Sequence, residues 1–279
     1  MMFLEWLRED IPYWDLTSEA IVDNRSWGRA VVKANTRLYS GCIGVIADLL
    51  DRLGFHVREA VEDRVWVEKG SNLIVFEGRV KDILYIERTL LNLMAYMLGV
   101  STTTRLFLER ARSINPRIRV AATRKTPPGL RLVAKLAVEC GGGDTHRLCL
   151  SDAYLIKDNH IVVAGDVVEA IRRVREKASF VHRIEVEVEG VDDGIRAVRE
   201  GVDIVMLDNM DPGSIREFIR ELERLGLRDR VVVEASGGIN LENIVEYAGT
   251  GVDVISSSVI TMNPVKIDIS LDIVGVECR

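Results

Sequence analysis

The sequence predicts an α/β protein: an incomplete parallel α/β barrel joined to a separate α/β domain that precedes it. Three observations carry this. From about residue 115, short β-branched apolar runs alternate with polar turns and amphipathic helical stretches, the pattern of βα repetition. Several of those runs are apolar through most of their length, as strands covered on both faces by helices must be. Polar residues stand at the carboxyl end of nearly every run and no G-x-G-x-x-G follows any of them, which favours a rim of strand ends over the single switch point of an open sheet.

In chain order, the first hundred residues predict a strand at 29–34, a helix at 43–53, short strands at 65–67 and 73–76, and a long helix from Asp82 to about Ile114. Gly28, Gly41, Gly54, Gly70 and Gly78 read as turn glycines between them. The barrel strands are predicted at 118–122, 153–156, 183–188, 203–207, 230–235 and 252–256, with helices at 167–177, 191–199, 213–225 and 241–247 between them. After Pro264 the alternating KIDISLDIVGV predicts a strand that returns to the first domain. The expected division is 1–112 for the amino-terminal domain, joined by 265–279, and 113–264 for the barrel.

With 279 residues, 47% of them hydrophobic, the chain can bury a sizeable core without disulfide staples. A net charge of −6 argues against a nucleic-acid binder or a polybasic membrane-surface protein. Glu5 and Arg8 interrupt any signal-like opening, and Asn92 interrupts the longest apolar run, so no membrane and a cytoplasmic location are expected. Cys42, Cys140, Cys149 and Cys278 form no C-x-x-C pair and are expected to be reduced core thiols. The absence of glutamine beside plentiful Glu, Arg and Val resembles thermophile composition.

Residues that follow barrel strands converge on one rim although they are far apart in sequence. Here they are Thr123-Arg124-Lys125, Lys157-Asp158-Asn159-His160, Glu187 and Glu189, Asp208-Asn209, Ser236-Gly237-Gly238 and Ser256-Ser257-Ser258. Arg124, Lys125 and Lys157 suit carboxylate or phosphate. Glu187 and Asp208 are hard oxygen ligands suited to Mg2+. The two glycines of EASGGIN, before a predicted helix, offer backbone N–H groups to a phosphate. Any inward face of EVEVE carries carboxylates that need a cation to answer them.

Between Arg117 and Arg147 stand seven Lys or Arg against Glu139 and Asp144, a basic island in an acidic chain. A solvated helix face accounts for Arg131 and Lys135. Arg124 and Lys125 at a strand end, and His146-Arg147 behind three glycines, read as a site instead. Pro127 and Pro128 fit a helix start and stiffen the loop that presents Arg124 and Lys125. Lys157 admits a rival role, as a Schiff-base lysine.

TRKTPPGLR, GGGDTHR, DAYLIKDNH, EVEVE, VMLDN and EASGGI, in this order and spacing, together with LREDIPYWDLTSEAI and ERTLLNLMAYMLGVSTTT, resemble quinolinate phosphoribosyltransferase across essentially the whole chain. The resemblance implies the type II phosphoribosyltransferase fold, an N-terminal α/β sandwich plus an incomplete α/β barrel, working as a homodimer or an assembly of dimers. It implies that quinolinate and 5-phosphoribosyl 1-diphosphate react with Mg2+ to give nicotinate mononucleotide, pyrophosphate and CO2 for NAD biosynthesis. By motif, Arg124, His146, Arg147 and Lys157 would line the quinolinate pocket, with Arg88 from the neighbouring subunit. Lys125 and Lys157 would face the phosphoribosyl diphosphate, Glu187 and Asp208 its metal and ribose, and Ser236, Gly237 and Gly238 its 5-phosphate. Ser257 and Ser258 belong to the same phosphate end, where the family's pattern differs: Thr261-Met262 replaces its Thr-His. Thr145 and Cys149 depart from its usual asparagine and glycine, and EDIPYW replaces a glycine-containing turn. The alternatives are a nicotinate phosphoribosyltransferase without decarboxylation, a Schiff-base aldolase using Lys157, and a binding relative that keeps the fold without the reaction.

Overall fold

The structure is a computed structural model that describes residues 2–278. It has two units, one running to Thr103 and resuming at Pro264, the other Thr104–Asn263. The division falls inside the long helix, upstream of the boundary expected at residue 112, because nothing in a helical pattern marks where packing partners change.

The first unit contains α1 (Met2–Asp10), α2 (Leu16–Ile21), β1 (Ser26–Ala34), β2 (Leu38–Tyr39), α3 (Ile43–Arg52), β3 (His56–Ala60), β4 (Trp66–Val67), β5 (Asn72–Arg79) and the start of α4 (Val80–Arg112). Asp15 caps α2 by accepting the Thr17 N–H. In β1, Ala30, Val32 and Ala34 are fully buried. β3 escapes a sequence reading because HVREA is mostly exposed and charged, as an edge strand that resists further pairing should be. Gly28 and Gly78 are not turn residues: they lie opposite each other in β1 and β5, and a Cβ on Gly78 would come within 2.5 Å of the Phe55 ring. By length and composition α4 could cross a membrane, but 56% of its most apolar window is buried within the fold, as in a core helix.

The second unit runs β6 (Arg119–Ala121), α5 (Arg131–Cys140), β7 (Tyr154–Ile156), α6 (Asp158–Ala164), α7 (Val167–Arg175), β8 (Ile184–Val188), α8 (Val191–Arg199), β9 (Ile204–Asp208), α9 (Pro212–Arg224), β10 (Val232–Ser236), α10 (Ile244–Ala248), β11 (Val254–Ser256) and α11 (Val259–Met262). Its six strands are parallel and ordered β6-β11-β10-β9-β8-β7, so the first and last barrel strands in sequence are neighbours and the sheet curls round. No strand pairing joins β6 to β7 among the described residues; on that side Asp144 makes a lone parallel bridge to Ala121. The barrel is therefore incomplete. Its helices pack by apolar stripe: Ile215, Phe218, Ile219 and Leu222 of α9 are buried at helical spacing behind the Asp211 cap and Pro212.

The tail forms β12 (Ile269–Cys278), antiparallel to β1 from Ala34↔Ile269 to Ser26↔Cys278, which returns the chain to the first unit. Cys42 and Cys140 are disulfide-bonded, against the expectation of reduced core thiols, whereas Cys149 and Cys278 are free and exposed.

Candidate active site

Strand alternation turns Glu185 and Glu187 to the same side of β8. Glu187 pairs with a cation, whereas Glu185 Oε1 is buried without a hydrogen-bond partner, with the His146 ring nearby. Lys157, just after β7, donates to Glu187 Oε2. One level down, His146 Nε2 lies 3.5 Å from Glu185 Oε1 and 3.4 Å from Glu234 Oε2, both on fully covered carboxylates. Glu189, beyond the strand, is exposed.

The adjacent ends close the rim. Ser256 Oγ donates to Ser236 Oγ at 3.0 Å. Asn209, at φ 54, donates its N–H to Ser236 O at 2.9 Å and its side-chain amide to Asp208 Oδ2 at 2.7 Å. Gly237 has φ 89, and a Cβ there would lie 2.6 Å from Asn209 N, so only glycine fits this turn. No helix starts directly behind the two glycines: α10 begins at Ile244, after an Asn240–Asn243 turn whose Asn243 amide donates to Gly238 O. Any phosphate here would meet loop amides, not a helix N-terminus. The Ser257 hydroxyl is buried and donates to Ile239 O at 2.6 Å, a structural tie for this loop, while Ser258 is only half-buried.

The basic segment follows β6, which pairs with β11. Thr123 Oγ1 accepts the Lys125 N–H and Thr261 Oγ1 donates to Lys125 O, pinning the turn that carries Arg124 and the exposed Lys125. The two prolines do not open the helix; Pro127 O closes a turn with Leu130 N, and α5 starts at Arg131. Lys135 is not on a solvated face: it is 2% exposed and donates to Thr145 O. Burial, with Arg131 next, pushes its pKa down to about 8. Burial, with Arg124 next, also lowers that of Arg147, whose Nη1 donates to Ala153 O at 3.1 Å.

His146 has the left-handed φ of 52, held by its N–H donating to Asp144 Oδ1. Burial opposes its protonation, but Glu185 and Glu234 outweigh burial and push its pKa up to about 10. The Arg147 N–H donates to His146 Nδ1 at 2.8 Å, which requires that nitrogen to be bare. That tie belongs to the neutral ring with its proton on Nε2, whereas the carboxylates favour the doubly protonated ring, in which Nδ1 cannot accept and the tie is lost. The three donors lie within 4.8 Å of one another, but an Nε2 that carries the proton has no lone pair for a metal. Burial raises the pKa of Glu185.

Glu187 and Asp208 keep the oxygen donors that Mg2+ prefers, and Asp208 has no ion-pair partner among the described residues. Arg88 is exposed on α4, in the first unit.

The descriptions "Quinolinate phosphoribosyl transferase, N-terminal domain" and "Quinolinate phosphoribosyl transferase, C-terminal domain" match residues 15–98 and 100–272. The chain belongs to the quinolinate phosphoribosyl transferase family. A relative from Methanothermobacter thermautotrophicus, named probable nicotinate-nucleotide pyrophosphorylase [carboxylating], is 47% identical over 98% of both chains. One of the same name from Archaeoglobus fulgidus is 41% identical over 94% of this chain and 98% of its own. The crystal structure of NadC from Streptococcus pyogenes superposes with a TM-score of 0.90 at 32% identity, covering 99% of this chain and 95% of that one.

Within this family member, sequence reasoning missed the tie from Thr261 to Lys125, the burial of Lys135 and the meeting of His146 with Glu185 and Glu234. Lys135 had a weak signal, a lone cation among the buried Val133, Ala134, Ala137 and Val138.

Proposed function

We propose that this protein transfers the phosphoribosyl group of 5-phosphoribosyl 1-diphosphate to quinolinate with decarboxylation, forming nicotinate mononucleotide, pyrophosphate and CO2. The observation that carries the reading is the sorting of charge at the strand ends, with Arg124, Lys125, Arg147 and Lys157 set against Glu187 and Asp208, in a chain that matches both domains of the family. Quinolinate brings two carboxylates to the cations. Arg124, Arg147 and Lys157 bind and orient it, aided by Arg88 of a neighbouring subunit in a homodimer or an assembly of dimers. His146, immediately before Arg147, turns its Nε2 toward Glu185 and Glu234.

Lys125 and Lys157 face the diphosphate, and the amides at Gly237 and Gly238, with Ser236 and Ser258, take the 5-phosphate. Mg2+ held by Glu187 and Asp208 would supply charge neutralisation to the departing pyrophosphate. As that bond breaks, positive charge grows on the ribose and the two carboxylates stabilise it. The substrate's ring nitrogen then attacks; its new positive charge stabilises the carbanion left as CO2 departs, and that carbon takes a proton from water to give nicotinate mononucleotide. Lys157 acts as a donor to Glu187, the arrangement of a charge clamp rather than of a Schiff-base amine. The reaction is one of the cytoplasm.

Purified protein incubated with Mg2+, phosphoribosyl diphosphate and either quinolinate or nicotinate tests this. Mononucleotide and CO2 are expected from quinolinate alone; turnover of nicotinate without quinolinate would refute it.

A further inference from the structure

The candidate active site occupies the carboxyl ends of the barrel strands; their amino ends surround a second hollow. A cavity of about 1000 Å³ opens there, bordered by Arg119 at the start of β6, Ile204 and Val232 at the starts of β9 and β10, and Arg183 and Asp253 just before β8 and β11. Parallel barrels ordinarily fill this space with layers of side chains. Here Ala121 and Ala153 contribute only methyl groups to it, and the volume left is that of a small-molecule site. Val181, Ile204, Val232, Val252 and Val254 give it an apolar wall.

Glu185 and Glu234 line the same cavity two residues beyond Arg183 and Val232, about 7 Å deeper at the rise of a strand. They are 1% and 3% exposed, and Oε1 of each has no hydrogen-bond partner. A turn about the last side-chain bond, which is soft in glutamate, brings either oxygen to the cavity. His146 Nε2, 3.5 and 3.4 Å away, offers one N–H to two carboxylates. Arg147 favours the ionised Glu185 but gives its Nη1 to Ala153 O. Buried acceptors left in this state are costly, and a further donor at the inner end of the cavity would relieve that cost.

Most charges at the mouth are already matched. Arg119 lies 3.8 Å from Asp144, Arg183 3.6 Å from Asp203 and Arg228 2.8 Å from Asp253. Asp152 accepts the N–H groups of Leu148 and Cys149. Arg117 and Asp229, which also line the cavity, have no ion-pair partner among the described residues. One cation and one anion at the mouth suit the carboxylate and ammonium of an α-amino acid. Two carboxylates at depth suit a guanidinium, whose several N–H donors can serve both at once. The apolar wall between them suits a stem of methylenes, and a side chain of arginine's length covers the distance.

We propose that the amino-terminal mouth of the barrel binds a free basic α-amino acid of the arginine type, with its guanidinium between Glu185 and Glu234 and its α-groups at Arg117 and Asp229. This site lies at the opposite strand ends from the catalytic rim and does not depend on the reaction run there.

Calorimetric titration of the whole protein with L-arginine tests it, beside norleucine, which lacks the cation, and agmatine, which lacks the carboxylate. Arginine is expected to bind and norleucine to give no heat. Agmatine should bind about tenfold or more weakly than arginine, the worth of one charge-assisted hydrogen bond. Arg117→Ala, at an exposed position, should weaken arginine by the same factor and leave agmatine unchanged. Glu234→Gln keeps the side chain's shape and should weaken both. Lys125→Ala, at the catalytic rim, should bind arginine as the wild type does. No arginine binding up to about 10 mM overturns the proposal, as does norleucine binding as tightly as arginine, or an Arg117→Ala protein with unchanged arginine affinity. Loss of arginine binding in Lys125→Ala overturns it too, because it would place the ligand at the carboxyl ends. Should Glu234→Gln fail to fold, the comparison of arginine with agmatine in wild type and Arg117→Ala still decides.

Discussion

Replacing Lys135 by methionine should remove a pH dependence of stability that the wild type carries in alkaline solution. Burial displaces this lysine from 10.5 to about 8. Below about pH 8 the folded and unfolded chains are both protonated here, and the folded state bears the full cost of the buried ammonium. Between about pH 8 and the unfolded value of 10.5 the unfolded chain holds more protons, so stability rises with pH; above it the contribution is constant. At about 1.4 kcal/mol per pH unit, the rise is about 3 kcal/mol. Urea unfolding of wild type and variant at matched pH values across this window measures it. The stability difference between the two should move by about 3 kcal/mol in favour of the wild type as pH rises. Because only the difference is read, other groups that titrate in the same range cancel. A difference that stays constant across the window would refute the reasoning.

Two further outcomes follow from the rim and the assembly. Gly237→Ala forces a methyl to within 2.6 Å of Asn209 N at φ 89, so a stability loss of about 1–3 kcal/mol is expected; thermal unfolding and the KM for phosphoribosyl diphosphate check this, with the KM rising if the turn receives the phosphate. Mixing Arg88→Ala with Lys157→Ala protein should restore activity through hybrid dimers that contain one intact site; no recovery despite demonstrated subunit exchange would place Arg88 outside its neighbour's site.

Much of the barrel was legible because each βα unit writes its own local pattern. The strand ends were therefore legible too, and Lys157, Glu187, Asp208 and Ser236 stand where strand period and turn chemistry place them. β3 was not, because an exposed edge strand has no apolar alternation. α6 was missed because it is seven residues long and none is buried. Gly28 and Gly78 were misread because close packing between strands asks for glycine as firmly as a turn does.

The sequence by itself determined the order of the barrel strands, the return of the tail and the residues offered at the rim, since periodicity and composition act over a few neighbouring residues. Only the tertiary structure decided which charges meet: Lys157 with Glu187, His146 between Glu185 and Glu234, Lys135 buried beneath Thr145 rather than in water. These are encounters across tens of residues, and the cost of an unanswered buried charge selects the partner only after the chain has closed.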